Sequence, residues 1–155
     1  MVKTGFGKQL ESVRKFVEEI YPKHLEGMGL RPPFISEEPI DFDKITKDFV
    51  LYMEPDGVNF TTSAWADDCR DIVKLTVNFF LAFRGAAKSS VLMNDKLNDA
   101  ATAFYNMVKT EKMFKRDFPL AENLTVRSLE FFRGMEANDA RAGCRFSVEF
   151  DIRYN

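Results

Sequence analysis

The sequence predicts an α+β fold: a two-layer sandwich, with a mostly antiparallel sheet of about four or five strands carrying two main helices on one face. Three observations predict it. Over residues 73–83 the odd positions are Val73, Leu75, Val77, Phe79, Leu81 and Phe83, and Lys74, Thr76, Asn78, Phe80 and Ala82 lie between them. From Cys144 on, every even position is apolar or aromatic (Cys144, Phe146, Val148, Phe150, Ile152, Tyr154), and the odd ones are Arg145, Ser147, Glu149, Asp151 and Arg153. Such alternation marks a strand with one buried face. Third, Phe6, Leu10, Val13, Val17 and Ile20 in one stretch, and Leu97, Ala101, Phe104 and Val108 in another, recur at the spacing of a single helix face.

The elements follow in order. The first helix covers 6–20, with Phe16 widening its stripe and Pro22 ending it, because proline cannot continue the hydrogen-bond ladder. Residues 21–47 hold Gly27, Gly29, Pro32, Pro33 and Pro39 and predict a long Pro/Gly-rich connection. A loop of that length inside a compact domain is often functional. Residues 48–55 read as a strand closed by a turn at Pro55, Asp56 and Gly57, and 58–65 as a second strand. The strand over 73–83 ends at Arg84 and Gly85. After a linker at 86–93, Asn94 or Asp95 is expected to cap a helix reaching Phe114. A turn at 117–119, a strand at 124–132, a polar turn at 133–143 and the closing strand complete the chain. Phe146, Val148, Phe150 and Ile152 should pack on the two helix stripes, opposite strand 73–83.

The 155 residues fit a single domain, 1–155, and 45% hydrophobic with 30% charged residues is a globular composition. Sixteen Phe against one Trp supply a core of aromatic pairs. Lys+Arg 22 against Asp+Glu 24 leaves a formal charge of -2, which argues against specific nucleic-acid binding. Residues 1–20 carry charges every few positions, so no secretory signal is expected, and no apolar run is long enough to predict a membrane span. Cys69 and Cys144 stand alone and are expected to be small buried residues in a reducing compartment.

Catalytic patterns are sparse. His24, the one histidine, has no partner at ligand spacing and reads as an ordinary loop residue. Gly5, Phe6 and Gly7 precede a helix but follow no strand, which excludes a dinucleotide turn. Asp67, Asp68 and Asp71 lack the spacing of a calcium loop and read as a solvated turn; Glu37, Glu38, Asp41 and Asp43 are equally undirected. No catalytic, cofactor-binding or metal-ligating residue is therefore assigned, and no cofactor is implied. A small α+β hydrolase using scattered carboxylates is the weakest of the functional readings. The surplus of features lies on the strands: Phe80, Arg133, Glu136, Asp139, Arg141, Arg145, Glu149, Asp151 and Arg153 are the candidate interface residues. Charges of mixed sign there are either a solvated sheet face or a register-fixing contact between subunits.

From Asp48 the chain runs DFVLYMEP, then SAWADDCRDIVKLTVNFFLAFRG, then LNDAATAFYNMV, and it ends on VRSLEFFRGMEANDARAGCRFSVEFDIRYN. This succession over 48–155 resembles the tail terminator proteins of long-tailed bacteriophages, the family of the lambda minor tail protein U, which likewise open on an amphipathic helix. The resemblance is one of pattern; no single residue is diagnostic. It implies a structural virion protein rather than an enzyme. Such a protein forms a homo-oligomeric, hexameric ring at the head-proximal end of the tail, assembled in the host cytoplasm. The implied partners are the tail tube protein, whose polymerisation the ring stops, and a head–tail connector or neck protein, with DNA passing through the ring. The 21–47 segment is longer than the family pattern. That departure points to a contractile-tail relative or a neighbouring neck protein; the alternative reading of the chain is a head–tail neck protein or a sheath or tube completion protein.

Overall fold

The computed structural model describes residues 6–62, 71–86, 88, 90–110, 121–136 and 139–154. Helix α1 (Phe6–Gly27) leads into a short strand β1 (Phe34–Ser36) and a single 3-10 turn, η1 (Phe42–Lys44). Strands β2 (Phe49–Thr62) and β3 (Asp71–Ala86), helix α2 (Ser90–Thr110) and strands β4 (Ala121–Glu136) and β5 (Asp139–Tyr154) follow. The five strands form one open sheet in the order β1-β2-β3-β5-β4. Among the described residues, only the β1–β2 pair is parallel. This is the α+β sandwich that the alternating strands and helix stripes predict.

Both helices bury their stripes on the same sheet face. Val13, Phe16, Val17, Ile20, Tyr21 and Leu25 of α1 join Leu97, Ala101, Phe104 and Met107 of α2 over Leu75, Val77, Phe79 and Leu81 of β3 and Cys144, Phe146 and Val148 of β5. The Phe104 ring is central, with Tyr21 at 5.3 Å edge-on, Phe79 at 4.9 Å and Phe146 at 4.8 Å. The Tyr21 hydroxyl donates to the Ala100 carbonyl at 2.8 Å, so the one polar atom of this aromatic group is satisfied helix to helix. Phe150 and Ile152 lie at core-facing register positions of β5, opposite Leu75 and Val73, with side chains outside the described residues.

Several boundaries differ from the sequence reading. Pro22 lies inside α1, and the helix continues to Gly27. Proline removes one ladder bond, but the added turn buries Tyr21 and Leu25 completely, which outweighs that loss. The helix stops instead at a Schellman motif. The Gly29 N–H donates to Glu26 O (3.0 Å) and the Leu30 N–H to Leu25 O (2.9 Å), with Gly29 at φ 73°. His24 therefore lies in the last helical turn rather than in a loop. Pro55, Asp56 and Gly57 make no turn. They form a bulge in one continuous β2, where Pro55 pairs with Val77 and Gly57 with Thr76, leaving Asp56 as the extra residue. Proline is tolerated because β1 covers only Val50, Leu51 and Tyr52 of β2, so this part of the strand lies at an edge.

Helix α2 starts at Ser90, earlier than Asn94, because buried Met93 extends the apolar stripe by one turn. Its expected end at Phe114 and the turn at 117–119 lie outside the described residues, as do Asp67, Asp68 and Cys69. Residues 133–143 are not a polar turn. β4 and β5 pair through Arg133↔Ala142, Gly134↔Arg141, Met135↔Ala140 and Glu136↔Asp139, because Ala140 and Ala142 are buried and hold the segment in the sheet.

The second sheet face is not polar throughout. The connection after β1 folds back over one end of it, where Ile40 and Phe42 pack on buried Ile45, Val50 and Ala82. Phe42 reaches the sheet because two glycines leave it room. A Cβ on Gly143 would meet its ring at 3.0 Å, and one on Gly134 would meet it at 3.3 Å. The Phe132 ring stands edge-on at 6.2 Å. Among the described residues, no helix is long and apolar enough to cross a membrane.

Candidate functional site

The open sheet face facing away from the helices gathers most of the predicted interface residues, and register explains how. Tyr52, Phe80, Arg145 and Glu130 stand directly opposite one another on β2, β3, β5 and β4. Opposed residues share a face, so four side chains far apart in sequence form one row. Phe80 is half-buried there, with the Tyr52 ring at 6.1 Å on one side and the Arg145 guanidinium at 6.0 Å on the other. Arg145 also donates to Glu130 at 2.8 Å.

Two further ion-paired groups flank this row. Toward one end, Glu149 accepts from Arg127 at 2.7 Å and lies 3.6 Å from the Lys74 ammonium. The Arg127 hydrogen bond, with help from Lys74, holds the Glu149 carboxyl below its ordinary value against the opposing effect of burial. Toward the other end, Asp139 accepts from Arg84 Nε, 3.1 Å from each oxygen, and from Arg141 at 3.0 Å. The Arg141 Nε is buried without a hydrogen-bond partner among the described residues.

The predicted set therefore divides. Phe80, Asp139, Arg141, Arg145 and Glu149 share this face. Arg133 does not: it pairs with Ala142, at a register position facing the helix side of the edge strand, and it is exposed. Glu136, Asp151 and Arg153 occupy the sheet opposite Asp139, Lys74 and Ile72, with side chains outside the described residues. Lys74, Arg84, Arg127 and Glu130 complete these ion-paired groups and lie outside the predicted set. Alternation places Lys74 on the polar side, but partners across strands are visible only once the register is known.

The two sheet edges differ. On β4, Leu129 and Phe131 stand opposite Phe146 and Cys144, on the helix side, yet they are 39% and 51% exposed. On β1, Phe34 is 53% exposed, with the Lys47 ammonium 5.3 Å from its ring centre. Exposed Glu37, Glu38, Asp41 and Asp43 lie beside it in the following segment. Arg14 ties Glu37 to α1 at 2.9 Å, Asp41 accepts from the Asp43 N–H at 3.1 Å, and Lys44 sits 3.8 Å from Asp41.

Concave features are shallow. A hollow of about 260 Å³ lies between Ile40, Phe42, Phe80 and Phe132, and a cleft of about 530 Å³ opens where β2 begins and β3 ends. Among the described residues, no three His, Cys, Asp or Glu side chains are grouped to hold a metal ion. The Cys144 thiol is fully buried, and burial pushes its pKa up to about 12, so it is held neutral. Comparison of the chain with models of known protein families and with curated proteins finds no match to either.

Proposed function

We propose that this chain is a structural virion protein, a bacteriophage tail terminator. Its copies form a ring on the head-proximal end of the tail tube, stop tube polymerisation and offer a surface for head joining. The observation that carries this reading is the pair of unlike sheet edges. A closed ring needs a heterologous contact, in which one patch of each subunit meets a different patch of the next. An open sheet with a long edge bearing Leu129, Phe131 and Arg133, and a short edge bearing Phe34 beside four carboxylates, offers two such patches on opposite sides. Apolar side chains left exposed at an edge call for cover, and both edges carry them. The same arrangement would serve a head–tail neck or tail-completion protein, which would differ in what it caps.

The test is assembly. Mass photometry and negative-stain microscopy of the purified chain should show discrete rings, and addition to growing tail tubes should halt their extension. Phe131→Asp should shift rings to monomers while the monomer keeps its fold and loses only part of its thermal stability, because the Phe131 side chain is half-exposed there. A strict monomer at high concentration that also fails to act on tail tubes would refute the reading. Rings that leave tube growth unaffected would favour the neck protein.

A further inference from the structure

We propose that the cleft at the end of the sheet is a docking site for an acidic protein segment bearing one bulky apolar side chain, supplied by a partner that stacks on that end of the domain. The cleft lies between the turn after α1, the start of β2, the end of β3 and the first turns of α2, and its volume is about 530 Å³. Its walls are apolar where Phe49 and Phe83 stack, with ring centres 4.1 Å apart and planes 13° from parallel. Leu92 is 56% exposed at its rim.

Charge selects the occupant. Arg31 and Lys96 line the cleft, and neither forms an ion pair among the described residues. Arg84, the third cation, is already held by Asp139, and Asp48 is the carboxylate facing them. Set against Asp48, Arg31 and Lys96 leave the cleft one unit positive around stacked aromatic rings, on a chain whose formal charge is -2. An acidic segment meets both needs: its carboxylates pair with Arg31 and Lys96, and its apolar anchor covers Leu92 and the open part of Phe49. A nucleic-acid backbone fits less well, because its affinity comes from many phosphate contacts and not from apolar walls.

The position matters as much as the chemistry. This cleft sits at strand ends, whereas β1 and β4 are the lateral edges, so a partner bound here leaves both edges free for ring contacts. The inference rests on the ring reading only for the source of the partner, a tail or neck component stacked above or below.

The experiment uses the full chain and a fluorescent nonapeptide alternating Glu and Leu, followed by anisotropy. We expect saturable binding that weakens about tenfold or more, equivalent to about 1.4 kcal/mol, in the Arg31→Glu/Lys96→Glu variant. Leu92→Ser should weaken it as well. All three positions are exposed, and thermal melts of each variant verify that the fold is kept. No saturable binding, equal binding by the double variant, equal binding of a Lys/Leu nonapeptide, or tighter binding of a DNA nonanucleotide would each overturn the proposal. Mass photometry of the same samples separates the two readings. Rings without peptide binding would sink this inference alone, and peptide binding by a persistent monomer would sink the ring alone.

Discussion

Gly143 shows how much a single position can carry. It lets the Phe42 ring lie against the sheet, and a Cβ there would meet both that ring and the Leu81 carbonyl oxygen at 3.0 Å. Gly143→Ala should therefore destabilise the fold by about 1–3 kcal/mol through overpacking, measured by urea denaturation. Adding Phe42→Ala should relieve only part of that cost, because the backbone contact remains. On the other face, Phe104→Ala should cost about 3–5 kcal/mol, since its ring touches three buried aromatic rings at once. Glu149 gives a pH signature. Its folded-state pKa is depressed, so its contribution to stability is present above the unfolded value of about 4.3 and is lost as pH falls through the lower folded value. Glu149→Gln should be less stable than the parent chain at neutral pH, and the gap should close in acid. Urea midpoints measured at both pH values check this; a gap that persists in acid would assign the effect to packing.

At the scale of elements, α1 holds a proline in its interior because both sides of Pro22 are well anchored. Tyr21 and Leu25 are buried, and a Schellman motif closes the helix after Gly27. Pro22→Ala restores a donor to the Glu18 carbonyl and should raise stability by about 1–2 kcal/mol, once the loss of proline's rigidity in the unfolded chain is subtracted. A lower melting temperature would mean that the ring itself packs usefully. The β4 edge poses the opposite question, because Leu129 and Phe131 are only partly covered inside the monomer. Natural edges are usually short, charged or covered. A sixteen-residue edge strand with two half-exposed apolar side chains is the element most in need of a partner.

For the whole molecule, the layers divide the work. One sheet face is sealed by helices, one end of the other face is strapped by the connection after β1, and the remainder is a field of ion pairs closed within the chain. Because Arg145 already bonds Glu130 and covers Phe80, its charge is satisfied in the monomer. Exposed pairs of this kind contribute about 0–1 kcal/mol. Arg145→Glu should thus lower monomer stability only slightly and leave the ring mass unchanged, whereas Phe131→Asp should abolish rings. If Arg145→Glu disrupts the ring as strongly, the ion-paired face and not the edge is the contact between copies.

Local pattern by itself determined the α+β class, both helix stripes, strand β3 and the two-faced closing strand. Each of these follows from the period of neighbouring residues: Val77 and Phe79 or Phe146 and Val148 for strands, Leu97 and Phe104 for a helix. It also placed Phe80 on the polar side of β3 and Arg145 and Glu149 on the polar side of β5, since parity within a strand settles that; the register joins the two sides into one face. Only the tertiary structure decided the rest. Pro22 reads as a stop until the burial of Tyr21 and Leu25 is known. Residues 133–143 read as a turn until the partner strand buries Ala140 and Ala142. The ties of Arg127 to Glu149 and of Arg84 to Asp139 cross strands, and nothing local encodes their register. The exposure of Leu129 and Phe131 is likewise invisible in the chain, because it depends on where the helices stop covering the sheet; that of Phe34, which pairs with Val50 on the other face, depends on how far the connection after β1 reaches. The residues with most to say about function are those whose environment is set by distant segments, and periodicity cannot reach them.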